Sequence, residues 1–198
     1  MAVRTRGEMI AETRAKLLAA GRKAFGEIGY ADASMDDFTG KVGLTRGALY
    51  HHFGDKRGLF EAVIAQIDAE MTVRLKARAA KMATPWEGFI EEGIGYIEMA
   101  LEPEIRRIVL RDGPAVLGDP ASWPTTNGCM TAMKECLAEL AEDGVIRDVD
   151  LEATARMLTG ASCYAATWIA NAEDPQAISA RATAAYRRLV EGLLREPQ

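Results

Sequence analysis

Apolar residues recur at intervals of three and four along almost the whole chain, the spacing of one face of an α-helix. No run of alternating β-branched residues suggests a strand, and Gly and Pro fall at helix-length intervals. A first helix is expected over about 8–27, with Leu17, Gly21, Ala24 and Ile28 forming a stripe flanked by Leu18 and Phe25. Gly29 supplies its stop, and Tyr30 can fold back on the helix end. The Ser34-Met35-Asp36-Asp37 segment reads as a capping box opening a short second helix, with acids at the positive dipole end. Met35, Phe38 and Val42 then face inward, Gly43 breaks the helix and Leu44 anchors the turn. A very short third helix follows from Thr45 to about His52. After a Gly54-Asp55 turn, a long fourth helix runs over about 56–81, with Leu59, Phe60, Val63 and Ile67 on its inner side.

Five more helices are expected over about 85–100, 103–111, 123–142, 151–171 and 174–196. Breaks fall at Thr84-Pro85, Glu102-Pro103, Asp112-Gly113-Pro114, Asp143-Gly144 and Asp174-Pro175. Pro85, Pro103 and Pro175 suit first-turn positions, where the missing amide hydrogen costs nothing. The expectation is an all-α fold of about nine helices with no sheet, divided into a head at 10–70 and a body at 71–198.

At 198 residues the chain can bury a real core. It holds no apolar run of membrane-spanning length, and its polar first ten residues lack a signal core, so a cytoplasmic protein is expected. Three cysteines, Cys129, Cys136 and Cys163, read there as reduced thiols. The net charge of −5 argues against a general nucleic-acid binder, but it is unevenly spread. Residues through Phe60 carry +3 and the remainder −8. A slightly basic head on an acidic body suits a protein that touches DNA at one end.

The third helix carries the candidate chemistry. At 100° per residue, Arg46, Tyr50, Gly47 and His51 share one arc, while Ala48, Leu49, His52 and Phe53 occupy the other. Burying Leu49 and Phe53 would stabilise the unit by roughly 3–6 kcal/mol and turn the polar arc outward. Arginine can pair in bidentate fashion with guanine O6 and N7 in a major groove. Tyrosine offers a hydroxyl for phosphate and a ring edge for a thymine methyl, and Gly47 permits close backbone approach. Thr45 caps the helix, and with Ala48 at the third helical position no carboxylate occupies its N-terminus, leaving it open to a phosphate. Lys56 could hold a second phosphate.

The segment from Leu17-Leu18-Ala19-Ala20 through Phe25, Gly29-Tyr30, Ser34-Met35-Asp36-Asp37-Phe38 and Val42-Gly43-Leu44 to Thr45-Arg46-Gly47-Ala48-Leu49-Tyr50-His51-His52-Phe53-Gly54-Asp55-Lys56 and Leu59-Phe60 resembles the helix-turn-helix DNA-binding domain of the TetR/AcrR family. The resemblance implies that Arg46, Gly47 and Tyr50 approach bases and that Ser34, Thr45, His51 and Lys56 sit at phosphates. Gly21, Thr39 and Lys41 depart from the family's usual small apolar residues, and Gly40 adds a second weak helix former. The stretch 106–118 also resembles a segment found in one branch of that family.

The resemblance further implies a transcriptional regulator, by family habit a repressor, that binds a pseudo-palindromic operator as a homodimer paired through its last two helices. Leu151, Leu158 and Ala165 recur every seven residues, as do Ala155, Ser162 and Ile169, and Ile178, Ala182, Ala185, Leu189 and Leu193 form a stripe in the last helix. These stripes are read as a dimer surface, with packing inside one chain as the alternative. A small-molecule effector pocket among the middle helices would draw on Trp86, Phe89, Tyr96, Met99, Trp123, Met130, Met133, Met157, Tyr164 and Trp168, residue types that equally suit an ordinary core.

Catalysis is not expected. The only two histidines are adjacent and point about 100° apart, Gly160-Ala161-Ser162-Cys163-Tyr164 does not match a nucleophile elbow, and no metal or cofactor site is legible. A helical interaction module that had lost DNA binding is the other alternative, and the outward Tyr50 and Lys56 argue against it.

Overall fold

The computed structural model describes residues 5–40 and 43–195; Lys41, Val42 and Glu196 lie outside them. Nine helices follow one another among the described residues. They are α1 (Arg6–Asp32), α2 (Met35–Thr39), α3 (Arg46–Phe53), α4 (Lys56–Ala79), α5 (Pro85–Met99), α6 (103–117), α7 (Pro124–Glu142), α8 (Leu151–Asn171) and α9 (Pro175–Glu191). No strand occurs among these residues beyond one isolated antiparallel bridge between Ile146 and Leu194. The starts are chemically marked: Thr5, Ser34, Thr45, Asp55, Thr84, Asp150 and Asp174 each accept a hydrogen bond from a first-turn amide of their helix.

Two apolar clusters hold the helices together. The first gathers Leu17 and Phe25 of α1, Phe38 of α2, Leu49 of α3, and Leu59, Phe60, Val63 and Ile67 of α4. It continues past the expected division at 70 into Met71 and Leu75, because α4 is one unbroken helix across that point, and takes in Ile105, Ile108 and Trp123. The second cluster packs α5, α7, α8 and α9 around Ile97, Leu137, Leu140, Leu158, Ile169 and Val190. Half-buried Tyr96 touches both.

Three details of the periodicity reading change. In α1 the buried stripe is Leu17, Gly21, Ala24 and Phe25, while Ile28 is 42% exposed. The cause is Gly29, whose φ of 84° turns the backbone out of the helix before one more turn brings Tyr30 onto Phe25 and Phe60. The expected break at Asp112-Gly113-Pro114 is instead a continuation. Helix α6 passes from an α-turn, Pro103–Ile105, into a π-helical stretch, Arg106–Asp112, and back to α at Gly113–Leu117. The wider π-turn gives the Pro114 ring room that an α-turn denies it, and Gly113 lets the Trp123 ring come so close that a β-carbon would lie 2.6 Å from its Cη2. Finally, Leu158, Ala165, Ala155, Ser162 and Ile169 are buried within this chain. The seven-residue stripes of α8 are therefore intramolecular core, which is the alternative that periodicity alone left open.

The unusual residues of the head also have local causes. Buried Thr39 donates its hydroxyl to the Met35 carbonyl at 3.1 Å, so its polar atom is satisfied within α2. Gly21 lies under Leu59, and a β-carbon there would stand 2.8 Å from Leu59 Cδ2 and 3.0 Å from its Cγ. Gly40 has right-handed helical backbone and open space around it. The two glycines should respond oppositely to alanine. Gly40→Ala should raise stability by about 0.5–1 kcal/mol through helix propensity. Gly21→Ala should lower it by about 1–3 kcal/mol through overpacking. Denaturant midpoints of the two variants distinguish these outcomes.

Candidate nucleic-acid interface

Helix α3 is too short to persist alone in water, so its neighbours must fix its position and rotation. Leu49 does this, with no exposed surface, in a nest where the Phe25 ring lies 5.1 Å from Phe38 and 5.0 Å from Phe60. Ala48, His52 and Phe53 are half-buried beside it, and the Arg14 guanidinium stands 5.1 Å over the Phe53 ring. Burial, with charge repulsion from its neighbours His51 and Arg14, holds the His52 imidazole below its ordinary pKa. Arg46, Gly47, Tyr50 and His51 are exposed on the opposite arc, Tyr50 to 56%.

The residues assigned to phosphates differ in their freedom. Thr45 Oγ1 accepts from the Ala48 amide at 3.2 Å, leaving its own hydroxyl hydrogen to donate outward. The Ser34 hydroxyl accepts from the Asp37 amide at 3.3 Å and donates to the Asp37 carboxylate at 2.5 Å, so both its functions serve the capping box. Lys56 Nζ donates to the Ala31 carbonyl at 3.3 Å and stands 4.3 Å over the Tyr30 ring; to reach a phosphate it must swing from that seat.

One participant was not anticipated as such. Asp36, read in the sequence as a dipole-stabilising acid, accepts from Arg46 Nε at 2.8 Å and from Arg46 Nη2 at 2.5 Å. The hydrogen-bonded arginine holds this carboxylate below its usual pKa. Helical periodicity carries no information about such a pair, which joins two helices across a turn and ten positions.

The head is tied to the body by polar contacts as well as by α4. Arg22 of α1 donates to Glu104 of α6 through Nε and Nη2, both at 2.8 Å, and to Glu70 of α4 at 2.7 Å. At the kink, Arg107 Nη2 donates to the Ile28 carbonyl at 2.7 Å, and the Tyr30 amide donates to Asp112 at 2.8 Å. Arg111, from the same π-helical stretch, donates to the Ala170 carbonyl near the end of α8.

The ten candidate pocket residues are not gathered in one place. Met99 and Trp123 belong to the first cluster; Phe89 belongs to the second, where Trp86, Met130 and Met133 pack partly buried. Tyr96 lies between them, its hydroxyl 3.6 Å from Cys163 Sγ, and burial raises the pKa of both groups. The Trp123 indole nitrogen is buried without a hydrogen-bond partner. Met157, Tyr164 and Trp168 are 73%, 75% and 40% exposed on the outer side of α8. Two open surface grooves, one beside Arg78, Glu91 and Arg187 and the other beside Leu18, Arg22 and Gln66, include none of the ten. Among the described residues, no group of three or more His, Cys, Asp or Glu could hold a metal, and no helix is long and apolar enough to cross a membrane.

Residues 17–63 match the family model of bacterial regulatory proteins, tetR family, and residues 86–193, more than half the chain, match the model of the tetracyclin repressor-like C-terminal domain. The chain belongs to the TetR family. A TetR-family transcriptional regulator from Pectobacterium atrosepticum, known from its crystal structure, is 51% identical, with a TM-score of 0.88 over 98% of this chain and all of that one. The transcriptional repressor AcnR of Corynebacterium efficiens is 29% identical over 148 residues, 74% of this chain and 76% of AcnR. RolR, solved in complex with resorcinol, shares the fold with a TM-score of 0.68 at 21% identity, covering 98% of this chain and all of that one. This TetR-family member is a DNA-binding transcriptional regulator, and its family and relatives are regulators rather than enzymes.

The two arcs of α3 should separate stability from recognition. Leu49→Ala should destabilise the fold by about 2–5 kcal/mol. Tyr50→Ala, on the solvent side, should change it by less than about 0.5 kcal/mol. Chemical denaturation of both variants checks this.

Proposed function

We propose that this TetR-family regulator is a cytoplasmic repressor that binds a pseudo-palindromic operator as a homodimer and is released by a small-molecule effector. The observation that carries the reading is the division of α3, with Leu49 locked inward and Arg46, Gly47, Tyr50 and His51 turned outward on a capped helix. Arg46, Gly47 and Tyr50 are assigned to base edges, and Ser34, Thr45, His51 and Lys56 to phosphates, Ser34 by turning its hydroxyl hydrogen away from the Asp37 carboxylate. Phosphate contacts fix register, and base contacts choose sequence. Thr45 needs no rearrangement for this role, while Lys56 exchanges the Ala31 carbonyl and Tyr30 ring for a phosphate.

A second copy supplies the second half-site contact, and the two α3 helices must then meet major grooves about 34–36 Å apart. The dimer surface is assigned to Met157, Tyr164 and Trp168 of α8 with Leu189 of α9, large apolar side chains that this chain leaves exposed. They replace the buried seven-residue stripes as the pairing face. The effector is assigned to the junction of α5 and α8 at Tyr96 and Cys163, where a hydroxyl and a thiol meet and Tyr96 packs against both apolar clusters. RolR, bound to resorcinol, offers a parallel in fold. An effector that prefers the arrangement with badly spaced heads weakens operator binding, and DNA weakens effector binding by the same factor.

Sequencing genomic fragments retained by the purified protein should return a two-fold repeated motif. Recovery of DNA without a shared motif overturns sequence-specific control. On that motif, Arg46→Ala should cost about 1–3 kcal/mol and relax one base position per half-site. Lys56→Ala should weaken binding to every sequence and lower the salt slope by about one per half-site. Tyr164→Asp should shift the protein to monomer in sedimentation and weaken operator binding, with the helical content unchanged.

A further inference from the structure

The contact between Asp36 and Arg46 has a specific geometry. The aspartate takes the side edge of the guanidinium, Nε and one hydrogen of Nη2, through its two oxygens. A guanidinium has five N–H groups. The hydrogens left over are both of those on Nη1 and the second one on Nη2; one from each of these nitrogens forms the end edge. That edge is the one that can present two parallel donors to O6 and N7 of a guanine. We propose that Asp36 is a specificity-determining residue: it holds Arg46 by its side edge, so that the arginine meets DNA already oriented to read guanine with its end edge. The proposal rests on the assignment of Arg46 to a base edge.

Two physical consequences support a role in recognition rather than in holding the fold. Both partners are exposed, Arg46 to 63% and Asp36 to 68% at the side chain, and such pairs contribute little stability in water. Their value appears when the groove covers them: water leaves, the attraction strengthens, and a long side chain that would otherwise lose rotamer freedom on binding is already restricted. The second consequence concerns unspecific binding. An arginine whose charge is balanced by a carboxylate gives less attraction to phosphates, so the pair lowers affinity for DNA in general while sharpening the choice among bases. Asp36 also stands in the first turn of α2, where its charge favours the helix dipole. The isosteric Asp36→Asn therefore tests the charge, and Asp36→Ala tests the contact.

The test uses the full chain and the operator motif, with every single-base replacement in one half-site, measured for the native protein, Asp36→Asn, Asp36→Ala, Arg46→Ala and the Asp36→Ala/Arg46→Ala pair. Thermal melts check that each variant folds. In the Asp36 variants, discrimination at one guanine should fall at least about threefold, as expected for a coupled pair. Binding to unrelated DNA at low salt should rise. On top of Arg46→Ala, removal of Asp36 should leave the base preference unchanged. Unaltered or sharpened guanine preference in folded Asp36 variants, with preference lost in Arg46→Ala, overturns the role of Asp36 and leaves Arg46 as a reader. Unaltered preference in Arg46→Ala instead removes the assignment on which the proposal stands.

Discussion

The burial of Leu49 against Phe25, Phe38 and Phe60 is the constraint from which the head takes its meaning. An eight-residue helix cannot pay for its own nucleation in water. Its position, and the direction in which it turns its polar side chains, come from the apolar nest. Rotating α3 by one residue, about 100°, would exchange a buried leucine for an exposed tyrosine. The nest thus sets which side chains are free as well as the stability of the unit.

Much of this was legible in the sequence, because it follows from local rules. Helix starts were visible as Ser34, Thr45, Asp55 and the prolines at 85, 103 and 175, and the two arcs of α3 follow from 100° per residue. The errors arose where tertiary contacts overrule local signals. Gly113-Pro114 carries a strong stop signal, yet a π-turn absorbs the ring and Trp123 claims the space beside the glycine. Ile28 continues a stripe by spacing, but the turn at Gly29 takes it out to solvent. In α8 two sets of seven-residue repeats exist in the sequence, and periodicity cannot say whether the face they mark meets the same chain or another. The aspartate–arginine pair lay beyond any periodicity, since it depends on how α2 and α3 cross.

The joint between head and body has a different character from either cluster. Apolar contact along α4 is continuous, whereas Arg22, Arg107, Arg111 and Asp112 make directional bonds to named carbonyls, carboxylates and an amide. Three of these four come from the π-helical stretch of α6, which reaches the end of α1 on one side and the end of α8 on the other. Arg107 and Asp112, five residues and so one π-turn apart, both reach the end of α1, and through Arg111 the same stretch links the part that carries α3 to a helix of the body.

Gly29 shows what such a joint means for the chain's capacity to change. Its backbone has φ of 84° and ψ of 168°, a conformation that L side chains rarely adopt, and a β-carbon there would also displace Arg107, whose Nη2 would lie 2.2 Å away, from its bond to the Ile28 carbonyl. The outer arc of α3 is the reverse: Arg46, Gly47, Tyr50 and His51 support no neighbour in either cluster. With α3 reading bases as proposed, new target sequences come from altering that arc and its partner Asp36, with the joint at Gly29 left as it stands, so the molecule separates the part that can be retuned from the part that cannot.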